Sequence, residues 1–533
     1  MARIILCGIL FVSPILFGQV PRPTAAISGR VLDAGTNEPV VGATVLITAL
    51  DAATGTPPVA PSVTNGRGEF SFAQLATGRY DLAAHKPRYL SLGHGQRPGS
   101  GLPGVSVMAT AGQQVNDLII RLPLASVIAG YVTDTRGDPA QGAAVQLYVL
   151  EWRNGERGAR FVSSDVVDDR GQYRVPGLAP GDYVLSATMA VPAPLRPAPT
   201  YYPGTPVAAL ALPISVGVSE ERAGVNVQMS AAVLATVSGM AVSTDGKPLS
   251  NIKVAAIDMT SALKGFTFRT TYSSGTGAFT FDNLAPGQYA LVASEDQPKG
   301  PDGSRWARTD LTIDGSAVKD LSLVLRGGEV LSGTVLVEGA RPVQVAARLI
   351  LSPLDWDPQY SASFSARTES DGRFSIGGVK PGRYRLIVSE LPEGHVVRAA
   401  KLNGSDVCDL PLEVQPGQAS RTLEVRLSPR AASVSGTLFD STGNPNSDLL
   451  VIAFPSEERY WLPGSPRIRT VRPASDGKYS LRSLPSGAYR IGVVTDAQPG
   501  EWFASSFLQK LVPTSVPVTL ADGDARTLDV RVK

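Results

Sequence analysis

The chain repeats one motif five times, and this internal repetition constrains its fold more than any other feature of the sequence. An apolar residue, a small residue and a glycine recur at intervals of 94 to 109 residues. A proline follows each of these glycines nine or ten residues later. Five matches in one order predict five homologous units. Their glycines are Gly29, Gly130, Gly239, Gly333 and Gly436.

The second half of the motif has a stricter spacing. Each unit contains a Gly-x-aromatic element, and ten residues after its glycine comes another glycine with a tyrosine two positions further on. The aromatic residues are Phe70, Tyr173, Phe279, Phe374 and Tyr479, and the tyrosines are Tyr80, Tyr183, Tyr289, Tyr384 and Tyr489. The constant spacing predicts the same local structure in all five units.

Apolar and polar residues alternate through these elements, as in Tyr183, Leu185 and Ala187. A period of two indicates β-strands. Short strands separated by Gly, Pro and Asp turns are typical of a β-sandwich. The sequence therefore predicts an all-β protein of five tandem immunoglobulin-like or prealbumin-like β-sandwich domains, arranged as beads on a string in a rod with short joints. A helical face is expected only near residues 502–511.

The N-terminus has the build of a secretory signal peptide, with Arg3 followed by an apolar stretch over residues 4–17. An uncleaved anchor is the alternative, but a bilayer-spanning helix needs about 20 apolar residues. We predict a signal peptide over 1–26 and export to the periplasm, the cell surface or the medium, with no transmembrane segment in the mature chain. The predicted β-sandwich repeats 1 to 5 cover residues 27–124, 125–233, 234–327, 328–430 and 431–533.

The repeated glycine and tyrosine have structural interpretations. Gly29 falls on the inward face of its strand between Ile27 and Val31, so it predicts the close approach of another backbone or an aromatic ring. We expect the repeated tyrosine to pack over this glycine. The same tyrosine, just after a turn, is similar to a tyrosine corner, in which the hydroxyl bonds to nearby backbone.

The motif order resembles the carboxypeptidase regulatory-like domain, most clearly over residues 237–293 and 331–388. The resemblance implies a transthyretin-like, immunoglobulin-type sandwich. It implies no activity, because domains of this family are mainly accessory modules attached to peptidases, receptors and surface proteins.

Composition argues against several classes of function. The formal net charge is only +2, whereas nucleic-acid-binding domains carry a basic patch. Three His and two Cys leave little material for zinc, and no acidic cluster suits calcium. Cys408 is the only cysteine after the signal peptide, so no intramolecular disulfide is expected, and the neighbouring Asp406 and Asp409 should raise the pKa of its thiol.

None of the catalytic motifs of hydrolases, zinc peptidases or phosphate-binding enzymes occurs in the sequence. We predict a protein that is not an enzyme, with no catalytic, cofactor-binding or metal-binding residues and no cofactor.

Aromatic residues near loops are the candidates for ligand contact. Trp152, Trp356 and Trp461 precede the glycine of the aromatic turn by 16 to 19 residues, and Tyr201 and Tyr202 lie in a long loop. Exposed rings of this kind can stack on sugars. The alternative is that each Trp closes the edge of its own sandwich, because Trp is usually largely buried.

These features predict an exported, non-catalytic binding or scaffold protein of the cell envelope whose partner is a glycan or an envelope protein. One alternative is a carbohydrate-binding protein that uses the loop tryptophans. Another is a regulatory partner of an envelope peptidase or receptor.

Overall fold

A computed structural model describes residues 24–532, apart from 51–57, 190–198, 231–233, 260–267, 296–304, 340–345, 355–362, 393, 418–420 and 496. The predicted signal peptide up to residue 23 lies outside the described residues. Within them nearly every regular element is a strand, so the predicted all-β class is confirmed.

The strands follow the five sequence repeats in order. Repeat 1 contains β1 (Ala25–Asp33), β2 (Thr44–Ala49), β3 (Ser62–Val63), β4 (Glu69–Leu75), β5 (Gly78–His85), β6 (Leu92–Gly93), β7 (Val107–Ala109) and β8 (Gln114–Leu122). Repeat 2 contains β9 (Ser126–Thr133), β10 (Ala143–Arg153), β11 (Glu156–Val166), β12 (Gln172–Leu178), β13 (Gly181–Met189), β14 (Thr200–Tyr201), β15 (Ile214–Val216), β16 (Glu221–Arg222) and β17 (Val227–Gln228). Repeat 3 contains β18 (Ala235–Ser243), β19 (Lys253–Asp258), β20 (Phe268–Tyr272), β21 (Ala278–Leu284), β22 (Gly287–Ser294), β23 (Trp306–Ile313) and β24 (Val318–Leu325).

Repeats 4 and 5 continue the same scheme. Repeat 4 contains β25 (Glu329–Val337), β26 (Arg348–Pro353), β27 (Phe364–Arg367), β28 (Arg373–Val379), β29 (Gly382–Ser389), β30 (Val396–Leu402), β31 (Ser405–Asp406), β32 (Leu412–Val414) and β33 (Arg421–Ser428). Repeat 5 contains β34 (Ala432–Phe439), β35 (Leu450–Pro455), β36 (Arg469–Val471), β37 (Lys478–Leu484), β38 (Gly487–Val494), β39 (Val516–Leu520), β40 (Ala525–Thr527) and β41 (Val530–Arg531).

Helices are scarce, as predicted. The helical residues described are α1 (Ser505–Leu511) and the 3-10 turns Ala208–Leu210, Glu458–Tyr460, Glu501–Phe503 and Val512–Thr514. Helix α1 with its flanking 3-10 turns confirms the helical face expected near residues 502–511. Within the described part of the chain, no helix has the length and apolar character to cross a membrane.

Each repeat forms two sheets. In the first sheet the strand that carries the motif glycine lies between two others. One is the aromatic strand, which carries the Gly-x-aromatic element, and the other is the closing strand, the last of the repeat, which runs parallel to the glycine strand. The orders are β4-β1-β8, β12-β9-β16 with β17 also on β9, β21-β18-β24, β28-β25-β33-β30-β31, and β37-β34-β40 with β41 also on β34. In the second sheet the tyrosine strand is central; the orders are β3-β2-β5-β6 with β7 on β5, β11-β10-β13-β14 with β15 on β13, β20-β19-β22-β23, β27-β26-β29-β32, and β36-β35-β38-β39.

The two sheets of each repeat enclose a hydrophobic core. In β5 the alternate residues Tyr80, Leu82 and Ala84 are at most 3% exposed. A separate core of this kind lies in each repeat. Burying one large apolar side chain contributes roughly 1.5–3 kcal/mol, so each core stabilises its own repeat.

The motif glycine meets backbone, and not the repeated tyrosine that we expected. A Cβ on Gly29 would lie less than 3.0 Å from the carbonyl oxygen of Leu118 on the closing strand. The same clash with a carbonyl of the closing segment occurs at the motif glycine of every other repeat. The expectation about the tyrosine was wrong because the parallel closing segment crosses the glycine itself, and only a residue without Cβ admits that approach.

The tyrosine instead forms the predicted corner. Its hydroxyl donates to the carbonyl four residues earlier: Tyr80 to Ala76 at 2.7 Å, Tyr183 to Ala179 at 2.6 Å, Tyr384 to Lys380 at 2.7 Å and Tyr489 to Pro485 at 2.8 Å. The prediction of a tyrosine corner is therefore confirmed in repeats 1, 2, 4 and 5.

Candidate functional site at the repeat 5 junction

The aromatic residues proposed as ligand contacts do not share one surface. Trp461 is 3% exposed, and its indole donates to the carbonyl of Pro455 at 2.7 Å. Tyr201 is 2% exposed. Neither ring offers a face to a ligand, because each is packed within the protein.

The remaining candidates have different surroundings. Trp152, at the end of β10, and Tyr202 are half-buried, so both keep part of their surface accessible. Trp356 lies outside the described residues. Ligand contact therefore stays a prediction for Trp152, Trp356 and Tyr202.

Trp461 belongs to a second apolar layer of repeat 5, on the outer side of its second sheet. All six residues of β35 are buried, because alternate side chains enter the core and the others enter this outer layer. Phe454 and Trp461 meet edge to face at 5.9 Å between ring centroids, and α1 covers the layer through Leu508. An apolar side chain from repeat 1, Leu102, packs against the same layer.

In repeats 1, 4 and 5, the segment that follows the tyrosine strand contacts another repeat. We call it the tyrosine connection, and it covers residues 86–106 in repeat 1, 390–411 in repeat 4 and 495–515 in repeat 5. All three connections reach another repeat, as described below. The three connections differ in structure: that of repeat 1 contains β6, that of repeat 4 contains β30 and β31, and that of repeat 5 contains α1.

Arg472 links repeat 5 to the tyrosine connection of repeat 1. Its guanidinium donates to the carbonyl of Pro103 at 2.6 Å, to that of Gly95 at 2.8 Å and to that of Ser447 in its own repeat at 2.8 Å. The Arg472 side chain is only 5% exposed, and burial lowers its pKa. Three carbonyl acceptors offset the cost of burying this charge.

The β10–β11 turn of repeat 2 contacts repeat 5 at a neighbouring point. Asn154 and Gly155 both have positive φ, which suits a two-residue hairpin turn. The amide of Gly155 donates to the carbonyl of Gly500 at 2.9 Å. A Cβ on Gly500 would lie 2.8 Å from the carbonyl oxygen of Trp152, so backbones of the two repeats are in direct contact here.

Repeat 4 meets repeat 5 through a buried charge network. Arg385 is 2% exposed and donates to the carbonyls of Asp409 at 3.0 Å and Pro463 at 3.1 Å. Across the junction, Arg467 donates to the Asp409 carboxylate at 2.7 Å. Buried charges need partners of this kind, and removing one leaves the others uncompensated.

Cys408 lies beside this network and is buried. Burial, reinforced by the charges of Asp409 and Asp406, raises the pKa of its thiol to about 12. The sequence correctly predicted the direction of this shift, although burial and not the carboxylates is its larger cause. At neutral pH the thiol is protonated and unreactive.

A shallow groove of about 580 Å³ lies on the first sheet of repeat 1. Its polar side chains come from three adjacent strands and the turn before β4: Ser28, Arg30, Asn65, Glu69, Ser71 and Asp117. Hydroxyl, amide and carboxylate groups in one groove can donate and accept hydrogen bonds together. Among the described residues, no group of three or more His, Cys, Asp or Glu side chains could hold a metal ion.

The sequence did not indicate Arg472, Arg385 or Asp409 as functional residues. The sequence around them matches no functional motif, and contact between repeats gives them their roles. One signal was present: β35 is apolar throughout, and a strand of this kind predicts a sheet that is covered on both faces.

The fold and the junction define a protein of tandem β-sandwich repeats in which the last repeat contacts the first, the second and the fourth. Residues 26–116 and 236–326 match the family model of the carboxypeptidase regulatory-like domain. The predicted resemblance is thereby confirmed for repeats 1 and 3. No curated protein matches the chain.

Several solved structures are similar to the chain. The TIE protein of Bacillus anthracis is 11% identical, with 74% of this chain and 68% of that chain covered and a TM-score of 0.17. The minor pilin GBS52 of Streptococcus agalactiae is 14% identical, with 39% and 97% covered and a TM-score of 0.24. The shaft pilin SpaA of Lactobacillus rhamnosus GG is 13% identical, with 38% and 98% covered and a TM-score of 0.16. Because these scores are low, the fold assignment depends on the sheets described above.

Proposed function

We propose that the chain is an exported, non-catalytic scaffold of the cell envelope, in which the junction fixes the positions of repeats 1, 2 and 4 relative to repeat 5. The observation that carries this proposal is Arg472, which bonds two carbonyls of repeat 1 from a buried position in repeat 5. A chain of independent beads has no need for such a contact between its first and last repeats.

Cell fractionation combined with protease accessibility tests this proposal. We expect the chain to appear outside the cytoplasm and to resist proteolysis between its repeats. In the same preparation, peptide and glycan substrates should remain intact. Recovery from the cytoplasm, or robust hydrolysis of either substrate class by the purified chain, would contradict the proposal.

The groove on repeat 1 favours carbohydrate binding as a second candidate. Its hydroxyl, amide and carboxylate groups match the hydrogen-bonding capacity of a sugar. This groove is a better location for such a site than Trp461, which is buried.

A glycan array with wild-type protein and two variants tests this second candidate. Asp117→Ala, within the groove, should abolish any binding, whereas Asp138→Ala, an exposed turn residue of repeat 2, should leave it unchanged. An array without hits, or equal losses in both variants, would exclude the groove as a sugar site.

A further inference from the structure

The closing strand of the first sheet is protected from unwanted pairing in four repeats. In repeats 1 and 3 its register against the glycine strand shifts, next to Asp117 and Asp320, which both have φ near 60°. In repeats 2 and 5 it is divided into two short strands. Bulges and short strands prevent an open sheet edge from pairing with another chain. In the described part of these repeats, the closing strand is indeed a sheet edge.

In repeat 4 the closing strand is covered by another strand. Its closing strand β33 pairs with β25 in an unbroken register, from Leu331 opposite Arg421 to Val337 opposite Leu427. The outer edge of β33 is covered by β30, which pairs with it antiparallel. We call β30 the guard strand, because the edge beneath it has neither a bulge nor a break.

The closing-strand residue opposite the motif glycine is more buried in repeat 4 than in repeats 1 and 3. Leu423 of β33, opposite the motif glycine Gly333, is 0% exposed. The equivalent residues Leu118 and Leu321, opposite the motif glycines of repeats 1 and 3, are only half-buried.

Repeat 5 holds the guard strand in place. Arg398 on this strand forms an ion pair with Asp522 at 3.1 Å and a hydrogen bond with Ser486, both in repeat 5. The chain then continues through β31 to Asp409, which binds Arg467 of repeat 5 at 2.7 Å. Loss of repeat 5 contacts would therefore loosen the guard strand from both ends.

The edge of β33 that the guard strand covers is complementary to the same edge of a second copy. The carbonyl of Thr422 accepts a hydrogen bond from the amide of Asn403 on this edge, so even-numbered residues of β33 direct their backbone groups outward. If two copies of β33 pair antiparallel with Val425 on the two-fold axis, Glu424 of each copy lies opposite Arg426 of the other. Both side chains are exposed, and opposite charges in cross-strand pairs stabilise a sheet. Leu423 then lies opposite Leu427, so the apolar face also matches.

We propose that β33 is a self-association edge, closed by the guard strand while repeat 5 is docked and paired with β33 of a second copy when the guard strand is released. This inference goes beyond the proposed scaffold function, since it specifies how one copy would join another. A two-fold axis through Val425 makes the interface isologous and limits it to a dimer.

The test is a substitution that removes the guard strand from its edge. Lys401 lies opposite Glu424, and Lys401→Pro removes the amide that bonds to β33. Light scattering after size exclusion should show a dimer for full-length Lys401→Pro, and a monomer for both wild type and Lys401→Ala. A monomeric, folded Lys401→Pro protein would overturn the proposal.

Charge reversal then tests the register. Adding Glu424→Arg to Lys401→Pro places like charges opposite each other twice and should weaken the dimer about tenfold. Adding Arg426→Glu as well restores opposite charges and should restore the dimer. A dimer that is indifferent to Glu424→Arg would refute pairing through β33.

A second route avoids the proline. If circular dichroism shows that Lys401→Pro does not fold, the double variant Arg398→Ala with Arg467→Ala removes the ion pairs to repeat 5 and keeps every backbone amide. The same dimer, with the same response to the charge reversals, is expected. A monomer at all concentrations would overturn the proposal. None of these outcomes depends on export or on a scaffold role, so failure here is distinguishable from failure of the proposed function.

Discussion

At the scale of single residues, the same physical reason accounts for glycine at all five motif positions. Each faces a carbonyl of the closing segment at a distance that no Cβ can occupy, because two parallel stretches of backbone approach closely there. The sequence predicted a close approach at this position. It could not identify the approaching group, since the closing segment lies some 80 to 100 residues further along the chain.

Substitution of a motif glycine should therefore be costly. Gly29→Ala forces a Cβ against the Leu118 carbonyl and should destabilise repeat 1 by about 1–3 kcal/mol. Gly66→Ala is the matched control, because a Cβ there meets no atom within 4 Å. Urea unfolding of both variants measures the difference; an equal stability for the two would contradict the clash.

The corner tyrosine makes a separate prediction. Tyr183→Phe removes the hydrogen bond to Ala179 from a buried side chain and should lower the free energy of unfolding by about 1 kcal/mol. Tyr131→Phe, which changes a 47% exposed ring, should change it by less than about 0.5 kcal/mol. Thermal unfolding followed by circular dichroism compares the two, and a larger effect at Tyr131 would be inconsistent with the corner.

At the scale of elements, the tyrosine connections distinguish one repeat from another. The strands were predictable because alternation and turn residues are local signals, as at Tyr80, Leu82 and Ala84. The connections were not, because their contacts join residues as distant as Gly95 and Arg472. No local pattern encodes such a pair.

Removal of the Arg472 side chain should loosen the connection of repeat 1. Arg472→Ala leaves the carbonyls of Gly95 and Pro103 without this donor, and hydrogen bonds to a charged group contribute roughly 1.5–3 kcal/mol. Hydrogen exchange over residues 93–106 should become faster in this variant. Arg482→Ala, which changes an exposed arginine of the same repeat, is the control and should leave exchange unchanged.

The same connection should respond to pH through His94. Burial lowers the pKa of His94 below its ordinary value of 6.5, and the Arg472 charge acts in the same direction. The unfolded or undocked connection therefore binds a proton more readily than the docked one, and docking is weakened as pH falls below about 6.5. Above that pH this contribution is constant.

Hydrogen exchange of residues 93–106, corrected for intrinsic rates, at pH 7.5 and 5.5 measures this response. Wild type should lose protection at the lower pH, and His94→Gln should lose less because it does not titrate. Equal pH dependence in the two proteins would refute a role for His94.

At the scale of the whole molecule, repeat 5 contacts repeat 1, so the last repeat lies against the first. The sequence predicted five sandwiches arranged as beads on a string in a rod, with short joints. The structure adds contacts from repeat 5 to repeats 1, 2 and 4 through Arg472, Gly500 and Arg467. The tandem sandwiches were thus predictable, but their mutual positions were not.

An engineered disulfide between repeats 1 and 5 tests this closure most directly. A Cβ on Gly101 would lie 3.8 Å from the Cβ of Pro499, which is the mean Cβ separation in disulfides. In a full-length chain with Cys7 and Cys408 replaced by serine, Gly101→Cys with Pro499→Cys should oxidise spontaneously to one intramolecular disulfide, visible as a shift in non-reducing electrophoresis. Gly101→Cys paired with Thr442→Cys should keep both thiols free. Free thiols in the Gly101→Cys, Pro499→Cys protein under oxidising conditions would contradict the closed arrangement.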